Sequence, residues 1–546
     1  DFQIPFFIKS PTFLSKTLDN NRKKCGASRL LINKYRRLRR QIFFIVEAIF
    51  MLPVNCGSHS DYQNFVVTNL RKYYPNPDAL AKSTWDIIER FWNLDLSQTD
   101  TLLADKYSKF GPAPRTPSCM QRSYLLSIDF KITSLTEWAA QLKINPLYAI
   151  LSGFEVGNTP GVGTFYDFIN RCMWDSDDSH MSSHIHPLKT KVKKPESKGT
   201  KADPVEKVTV AELLPELEHT QFHLDDQPYA SLFKIYKKEF LDISVDKGLI
   251  HSNALALAGD GTPVVTSHRE RKKRICGCRE KGITDCKCDR YFSQPDCDIG
   301  WDSSRDCFYH GYDLYMLVDS QSDLPIFPHY SCASKHDSHS FLHAFFRMKA
   351  FLPDFKVSKV LLDSAHDAMP YYLYFKRENI TPFIDLNGKG GKPPVYKNDF
   401  TIDKDGVPVC PCGFRMRRDG VEIAKGRMKF KCPKISRKNG CLSCTCEAPC
   451  SDAKYGRTVH LVMNDNPRMF NNPPRSSKEW KLEYNARTSA ERSNKREKLD
   501  FKLEDGRHRS TKMWYCRLYH ILMLQHLDAW DLPFESTLRK LILNVA

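Results

Sequence analysis

Apolar residues recur three and four positions apart through the first third of the chain, then give way to short unbroken runs, so helices are expected first and a sheet afterwards. RLLINKYRRLRRQIFFIVEAIF (29–50) begins as a basic helix and becomes apolar. STWDIIERFWNL (83–94) and SLTEWAAQLKINPLYAILSGF (134–154) keep helical spacing, and NTPGVGTFYDFINRC (158–172) opens another short helix after a Gly/Pro turn. This texture suits a helix–turn–helix reader of DNA and equally a plain helical bundle. HPLKTKVKKPESKGTKADPVEKV (186–208) has almost no bulky apolar residue and reads as a flexible basic linker.

From about residue 245 strands and helices alternate. NALALAGDGTPVV (253–265) reads as a strand ending at Asp260 in a glycine turn. GYDLYMLVD (311–319) and LPIFPHYSCA (324–333) are the next two, joined by a polar SQSD turn. DSHSFLHAFFRMKAFLP (337–353) predicts an amphipathic helix capped at Asp337. VSKVLLDSAHDAMPYYLYFKREN (357–379) predicts a strand to Asp363 and a helix, and TPFIDLN (381–387) a last strand. The sum is an α/β fold, a mixed sheet flanked by helices, with a Cys-rich insertion before the final helices. The expected organisation is a helical region (1–180), a linker and connecting helix (181–244), the first part of the α/β domain (245–387, with an insert at 276–307), the Cys-rich insertion (388–475) and the C-terminal helices (476–546).

Composition adds a partner class. Lys and Arg number 82 against 64 Asp and Glu, a net charge of +18. That excess favours a polyanion, with nucleic acid foremost. Arg36, Arg37, Arg39 and Arg40 form the N-terminal stretch best suited to phosphates, although a solvated helix face would look the same. IFFIVEAIFMLPV (42–54) is interrupted by Glu47 and too short to cross a membrane, and no basic-then-apolar signal segment is expected.

The 19 cysteines fall mainly into two groups, six in 276–307 and seven in 410–450. Tight CxC and CxxC pairs and an odd total read as zinc ligands rather than a disulfide scaffold. Cys276, Cys278, Cys286 and Cys288 could close one tetrahedral zinc site, or remain free thiols in a hairpin. Cys410, Cys412, Cys432, Cys441, Cys444, Cys446 and Cys450 exceed one site, and could serve two if His460 or a shared Cys took part. The insertion looks poor in apolar material, which makes a zinc staple its expected core.

YNARTSAERSNKREK (484–498) places Tyr484, Arg487, Glu491 and Lys498 at offsets 0, 3, 7 and 14. At about 100° per residue these share one helical stripe roughly 60° wide, and Lys495 projects close to it. Such a run is ordinarily a solvated charged face. Asp260 and Asp363, each after an apolar run, would ordinarily be turn or capping residues. Together with Glu491 they would form a three-carboxylate set suited to Mg²⁺ or Mn²⁺.

In that order, strand Asp, strand Asp, helix Glu, the chain resembles the DDE transposases of bacterial insertion sequences, in the group with Tyr, two residues, Arg, three residues, Glu, six residues, Lys. Tyr484, Arg487, Glu491 and Lys498 match that pattern in full. GDGTP (259–263), LLDSAHD (361–367) and GVGTFYDFINR (161–171) are similar in texture to the flanking regions of the group. The resemblance leaves out the linker and the Cys-rich insertion. It implies an RNase H-like catalytic domain, with Asp260, Asp363 and Glu491 as metal ligands and Tyr484, Arg487 and Lys498 on DNA phosphates; Lys495 is an additional candidate outside the signature. It further implies cleavage at terminal inverted repeats, strand transfer into target DNA, a homodimer on double-stranded DNA, and a bacterial cytoplasmic, nucleoid-associated location. A non-catalytic zinc-containing DNA-binding protein derived from a transposase is the alternative.

Overall fold

The structure, a computed structural model, describes residues 57–76, 80–108, 113–173, 208–266, 297–388, 400–438, 441–506, 508, 511–530 and 537–543. Arg36, Arg37, Arg39 and Arg40, the motif of Cys276, Cys278, Cys286 and Cys288, and nearly all of the 186–208 linker lie outside the described residues.

Among the described residues seven helices come first: α1 (His59–Tyr73), α2 (Lys82–Asn93), α3 (Ser97–Leu103), α4 (Pro117–Asp129), α5 (Leu135–Ile144), α6 (Pro146–Ser152) and α7 (Val162–Cys172). The helical spacing over 134–154 is met by two helices, because Pro146 starts α6 and the Asn145 side chain accepts from Leu147 N–H at 3.0 Å. Three more helices follow: α8 (Val210–His219), α9 (Ala230–Tyr236) and α10 (Asp242–Asp246). Leu213, Leu217, Phe233 and Tyr236 are buried, so this stretch is packed structure and not an extension of the linker. Buried Glu239 accepts from both Thr99 N–H (2.7 Å) and the Thr99 hydroxyl (2.6 Å), tying it to α3.

The sheet comprises β1 (Leu255–Val265), β2 (Asp298–Asp302), β3 (Cys307–Asp319), β4 (Pro325–Cys332), β5 (Val357–Leu362) and β6 (Thr381–Ile384). β3 pairs antiparallel with β1 and β4, and its first residues with β2. β5 lies parallel to β1, and β6 parallel to β5. The strand order is β2–β3–β1–β5–β6 with β4 also paired to β3, so β4–β3–β1–β5–β6 is likewise continuous in a mixed sheet. α11 (Asp337–Phe351) and α12 (Met369–Arg377) follow β4 and β5. α11 begins one residue earlier than a cap at Asp337 would require: His336 is the N-cap and Asp337 the first helical residue.

The apolar run over 253–265 predicts a first strand ending at Asp260. β1 instead runs on to Val265, with Asp260 opposite Met316 in mid-strand. Gly259 and Gly261 make no turn. They leave space on one face, where a Cβ at Gly259 would stand 2.7 Å from Tyr315 Oη and one at Gly261 2.7 Å from Asp337 Oδ1. Gly311 is tighter still, since a Cβ there would fall 1.9 Å from the Val264 carbonyl oxygen. Gly311→Ala must push β1 and β3 apart and is expected to cost roughly 2 kcal/mol or more. Chemical denaturation measures this; a loss below about 0.5 kcal/mol, the range of ordinary surface changes, would refute it.

The insertion carries β7 (Thr401–Ile402), β8 (Pro408–Val409), β9 (Arg417–Glu422), β10 (Arg427–Lys431), β11 (Ile435–Lys438), β12 (Cys441–Cys444) and β13 (Thr458–Val462). Contrary to the expectation of little apolar material, it has a core of its own. Met428, Phe430, Val459 and Leu461 alternate inward on β10 and β13 and meet Ile402, Val407, Met416, Met469 and Phe470.

The stretch 478–500 is not one helix. α13 (Lys478–Asn485) ends before Ala486, α14 (Thr488–Lys495) starts anew, and Arg496–Asp500 is a π-helical turn. The last helices are α15 (Thr511–Ala529) and α16 (Thr537–Leu543). α15 is buried on all sides from Trp514 to Leu527, because α4 and α9 cover what the sheet leaves open. His520 Nε2 meets Gln121 Oε1 of α4 at 3.0 Å. No helix among the described residues is long and apolar enough to cross a membrane.

Candidate active site and cysteine cluster

Alternation along β1 sends Asp260 to the face opposite Gly259 and Gly261, where α14 packs on β1 and β3. Asn494 of α14 donates to Asp260 Oδ2 at 3.4 Å. Arg487, between α13 and α14, lies with Nη1 4.0 Å from Asp260 Oδ1 and donates through Nη2 to Glu491 Oε1 at 2.5 Å. One guanidinium therefore spans two of the three candidate acids. Burial pushes the Asp260 carboxyl up to about 7 against the pull of Arg487, and Asp337, Asp363 and Glu491 add to the rise.

Asp363 follows β5 and accepts from Ala365 N–H at 3.1 Å, capping a short 3₁₀ turn. His366 Nδ1 lies 2.6 Å from Asp363 Oδ1, and its Nε2 2.9 Å from the Tyr315 hydroxyl. Tyr315 and His366 are buried, so the second acid is held from behind by a hydrogen-bonded pair. Burial alone would raise the Asp363 carboxyl; the His366 bond and charge, Ala365 N–H and Arg487 outweigh it and hold it below the usual carboxylate range.

Two further acids stand behind the sheet. Asp313 on β3 accepts from Ser340 (2.8 Å) and Ser331 (3.3 Å). Burial, then the neighbouring Asp337, pushes it up to about 8, and burial raises Asp337 as well. Asp260, Asp337 and Asp363 thus gather around the middle of β1, and Arg487 is the cation beside Asp260 and Asp363.

The rest of the stripe divides. Tyr484 stacks on Trp480 with ring centroids 4.5 Å apart, beneath the Arg487 guanidinium at 5.9 Å. Burial pushes its hydroxyl up to about 12. Lys498 is turned inward, donating to the Pro263 carbonyl at 2.6 Å and lying 3.3 Å from Glu504. Lys495 and Glu491 are exposed. The break at Ala486 is why the ideal stripe does not persist: Tyr484 and Glu491 sit on separate helices, and Lys498 on the π-helical turn.

Among the described residues, the one set of three or more His, Cys, Asp or Glu whose ligand atoms all lie within 4.8 Å of one another is Cys410, Cys412 and Cys450. Asp260, Asp363 and Glu491 face one another without closing to that distance, with Arg487 between the first and the last. The sulfur trio has the donors of a zinc site and could hold such an ion. His460 stands away from it on β13, with Nε2 3.6 Å from Glu422 in an open pocket shared with Arg417, Lys429 and Lys431. The Cys441 side chain is outside the described atoms.

Sequence reasoning missed Asn494, His366, Asp313 and Asp337. The first two were within reach, each three residues beyond an acid already singled out, Glu491 and Asp363. Comparison with models of protein families, with characterised proteins and with solved structures finds no match for this chain.

Proposed function

We propose that the protein is an enzyme of metal-dependent phosphodiester chemistry, with its reacting centre between β1, the end of β5 and α14. In particular it is a DNA transposase of the DDE type, cutting at the terminal inverted repeats of its element and transferring the strands into target DNA as a homodimer. The observation that carries this reading is the gathering of Asp260, Asp363 and Glu491 around the Arg487 guanidinium, from three separate elements. The sheet order β4–β3–β1–β5–β6, with three antiparallel strands followed by two parallel ones, supports an RNase H-like domain.

The donor set fits the metal. All three ligands are carboxylates, the choice of hard divalent cations, and the raised Asp260 carboxyl marks a place where positive charge is wanted. Bound there, Mg²⁺ or Mn²⁺ supplies activation of a water or 3′-hydroxyl and stabilisation of the leaving oxygen. The protein's own part is positioning. His366 and Ala365 N–H fix the Asp363 oxygens. Arg487, released from Glu491, offers a forked guanidinium to a phosphate. Tyr484 supports that guanidinium from below, and exposed Lys495 adds a backbone contact. Lys498 braces the turn after α14 through Pro263, and its contact with DNA would follow release of that bond.

The test is cleavage of a linear duplex carrying both flanks of the protein's own coding sequence. Wild-type protein should nick it with Mg²⁺ and not with EDTA, and Asp260→Ala or Glu491→Gln should lose at least about 10³-fold in rate, the scale of an essential catalytic group. Cleavage retained in either variant would sink the assignment. Wild-type protein that binds this duplex with no cleavage would favour a non-catalytic, transposase-derived DNA-binding protein.

A further inference from the structure

Beyond the trio of Cys410, Cys412 and Cys450, a more widely spaced group of Cys432, Cys444 and Cys446 lies against it. Cys444 shares sulfur hydrogen bonds with both Cys446 and Cys432. The two groups interlock: Cys432 senses the charge of Cys410 and Cys450 as well as Cys444, and Cys446 that of Cys412. The backbone is arranged around sulfur. Lys434 N–H donates to Cys432 and Cys446 N–H to Cys444, bonds that stabilise thiolates. Gly413, at φ +78°, returns the chain after Cys412, with its N–H on the Cys410 carbonyl at 2.8 Å. The pairing of β11 with β12 sets Ile435 opposite Cys444, bringing Cys432 and Cys444 to one end of the hairpin.

The geometry points to a two-zinc thiolate cluster in which Cys410, Cys412, Cys432, Cys444, Cys446 and Cys450 hold both ions and Cys412 and Cys432 bridge them. A single tetrahedral zinc uses four thiolates and would strand two sulfurs against bound ones. Two tetrahedral ions are satisfied by six sulfurs when two of the six are shared. Cys412 and Cys432 are assigned as the shared pair: Cys432 faces Cys410 and Cys450 as well as Cys444, and Cys412 faces Cys446 as well as Cys410 and Cys450. One ion then has Cys410 and Cys450 as its own ligands, and the other Cys444 and Cys446. On binding, each thiol gives its proton to solvent. The residual negative charge of the cluster is met by Arg457, which donates to the Cys450 carbonyl at 3.4 Å. This site does not depend on the proposed DNA chemistry.

The experiment uses the full chain with Cys276, Cys278, Cys286 and Cys288 replaced by Ser, so that metal there cannot contribute. Zinc is counted by plasma mass spectrometry and native mass spectrometry. Two ions per chain are expected, one after the double change Cys444→Ser/Cys446→Ser, and none after Cys412→Ser/Cys432→Ser. A single ion in the parent, unaltered by the Cys444/Cys446 pair, would overturn the cluster in favour of an ordinary four-thiolate site; no ion would overturn it outright. Should the variants not fold, ¹¹³Cd NMR of the cadmium-loaded parent decides: two resonances coupled through shared sulfurs support it, and uncoupled resonances refute it.

Discussion

Asp260→Asn is expected to make the metal-free protein more stable at pH 8 by roughly 2 kcal/mol while abolishing DNA cleavage. The sign follows from the direction of the shift. Folding raises this carboxyl from 3.8 to about 7, so the folded state prefers it protonated. Stability is full below the unfolded value and is lost as pH rises through the folded one. The advantage of the variant should therefore be absent near pH 4, open between pH 4 and 7, and level off above. It stays below the full pKa displacement because asparagine forfeits the attraction of Arg487. Adding Mn²⁺ should reverse the order, since the ion stabilises only the chain that binds it. Denaturant titrations in EDTA and in Mn²⁺ across this pH range measure both effects. A variant equal to or weaker than wild type at pH 8 in EDTA, or an advantage independent of pH, would refute the account.

Much of this site was legible in the residues, and the gaps have physical causes. The apolar runs placed β3, β4 and β5 close to where they lie, because strands buried on both faces read as unbroken hydrophobic segments. Asp260 does lie in an apolar strand, as its sequence suggests, but in mid-strand and not at a turn. GDG reads as a turn from local propensity, whereas Gly259 and Gly261 answer to Tyr315 on β3 and Asp337 at the start of α11, residues no local rule connects to them. Likewise the break at Ala486 carries no proline or glycine. At that break Arg487 stands between Asp260 and Glu491. In the insertion, spacing announced the cysteines but could not announce a core spread over short strands, with Met428 and Leu461 more than thirty positions apart yet directly paired.

Arg487→Gln should bind Mn²⁺ about tenfold more tightly in the absence of DNA, yet cleave DNA about a hundredfold more slowly. The guanidinium is the internal counter-ion of this cluster, 4.0 Å from Asp260 and 2.5 Å from Glu491, with Asp363 also within its field. A divalent cation entering among the same oxygens must displace part of that attraction. Tenfold corresponds to about 1.4 kcal/mol, a fraction of the Coulomb energy of one such pair even at a surface-like dielectric of about 20. Removing the guanidinium lifts the competition, so metal affinity rises. Cleavage falls for a separate reason. Glutamine cannot fork onto a phosphate, and the charge developing there is left to Lys495 and the metal. Arg487→Lys separates the two roles: it keeps the competing charge, so Mn²⁺ affinity should stay near wild type, while losing the bidentate geometry and with it most of the rate. Electron paramagnetic titration of free Mn²⁺ reads the first effect and duplex cleavage the second. Weaker Mn²⁺ binding by Arg487→Gln would mean that the arginine assembles the acids for the metal rather than holding their place until it arrives.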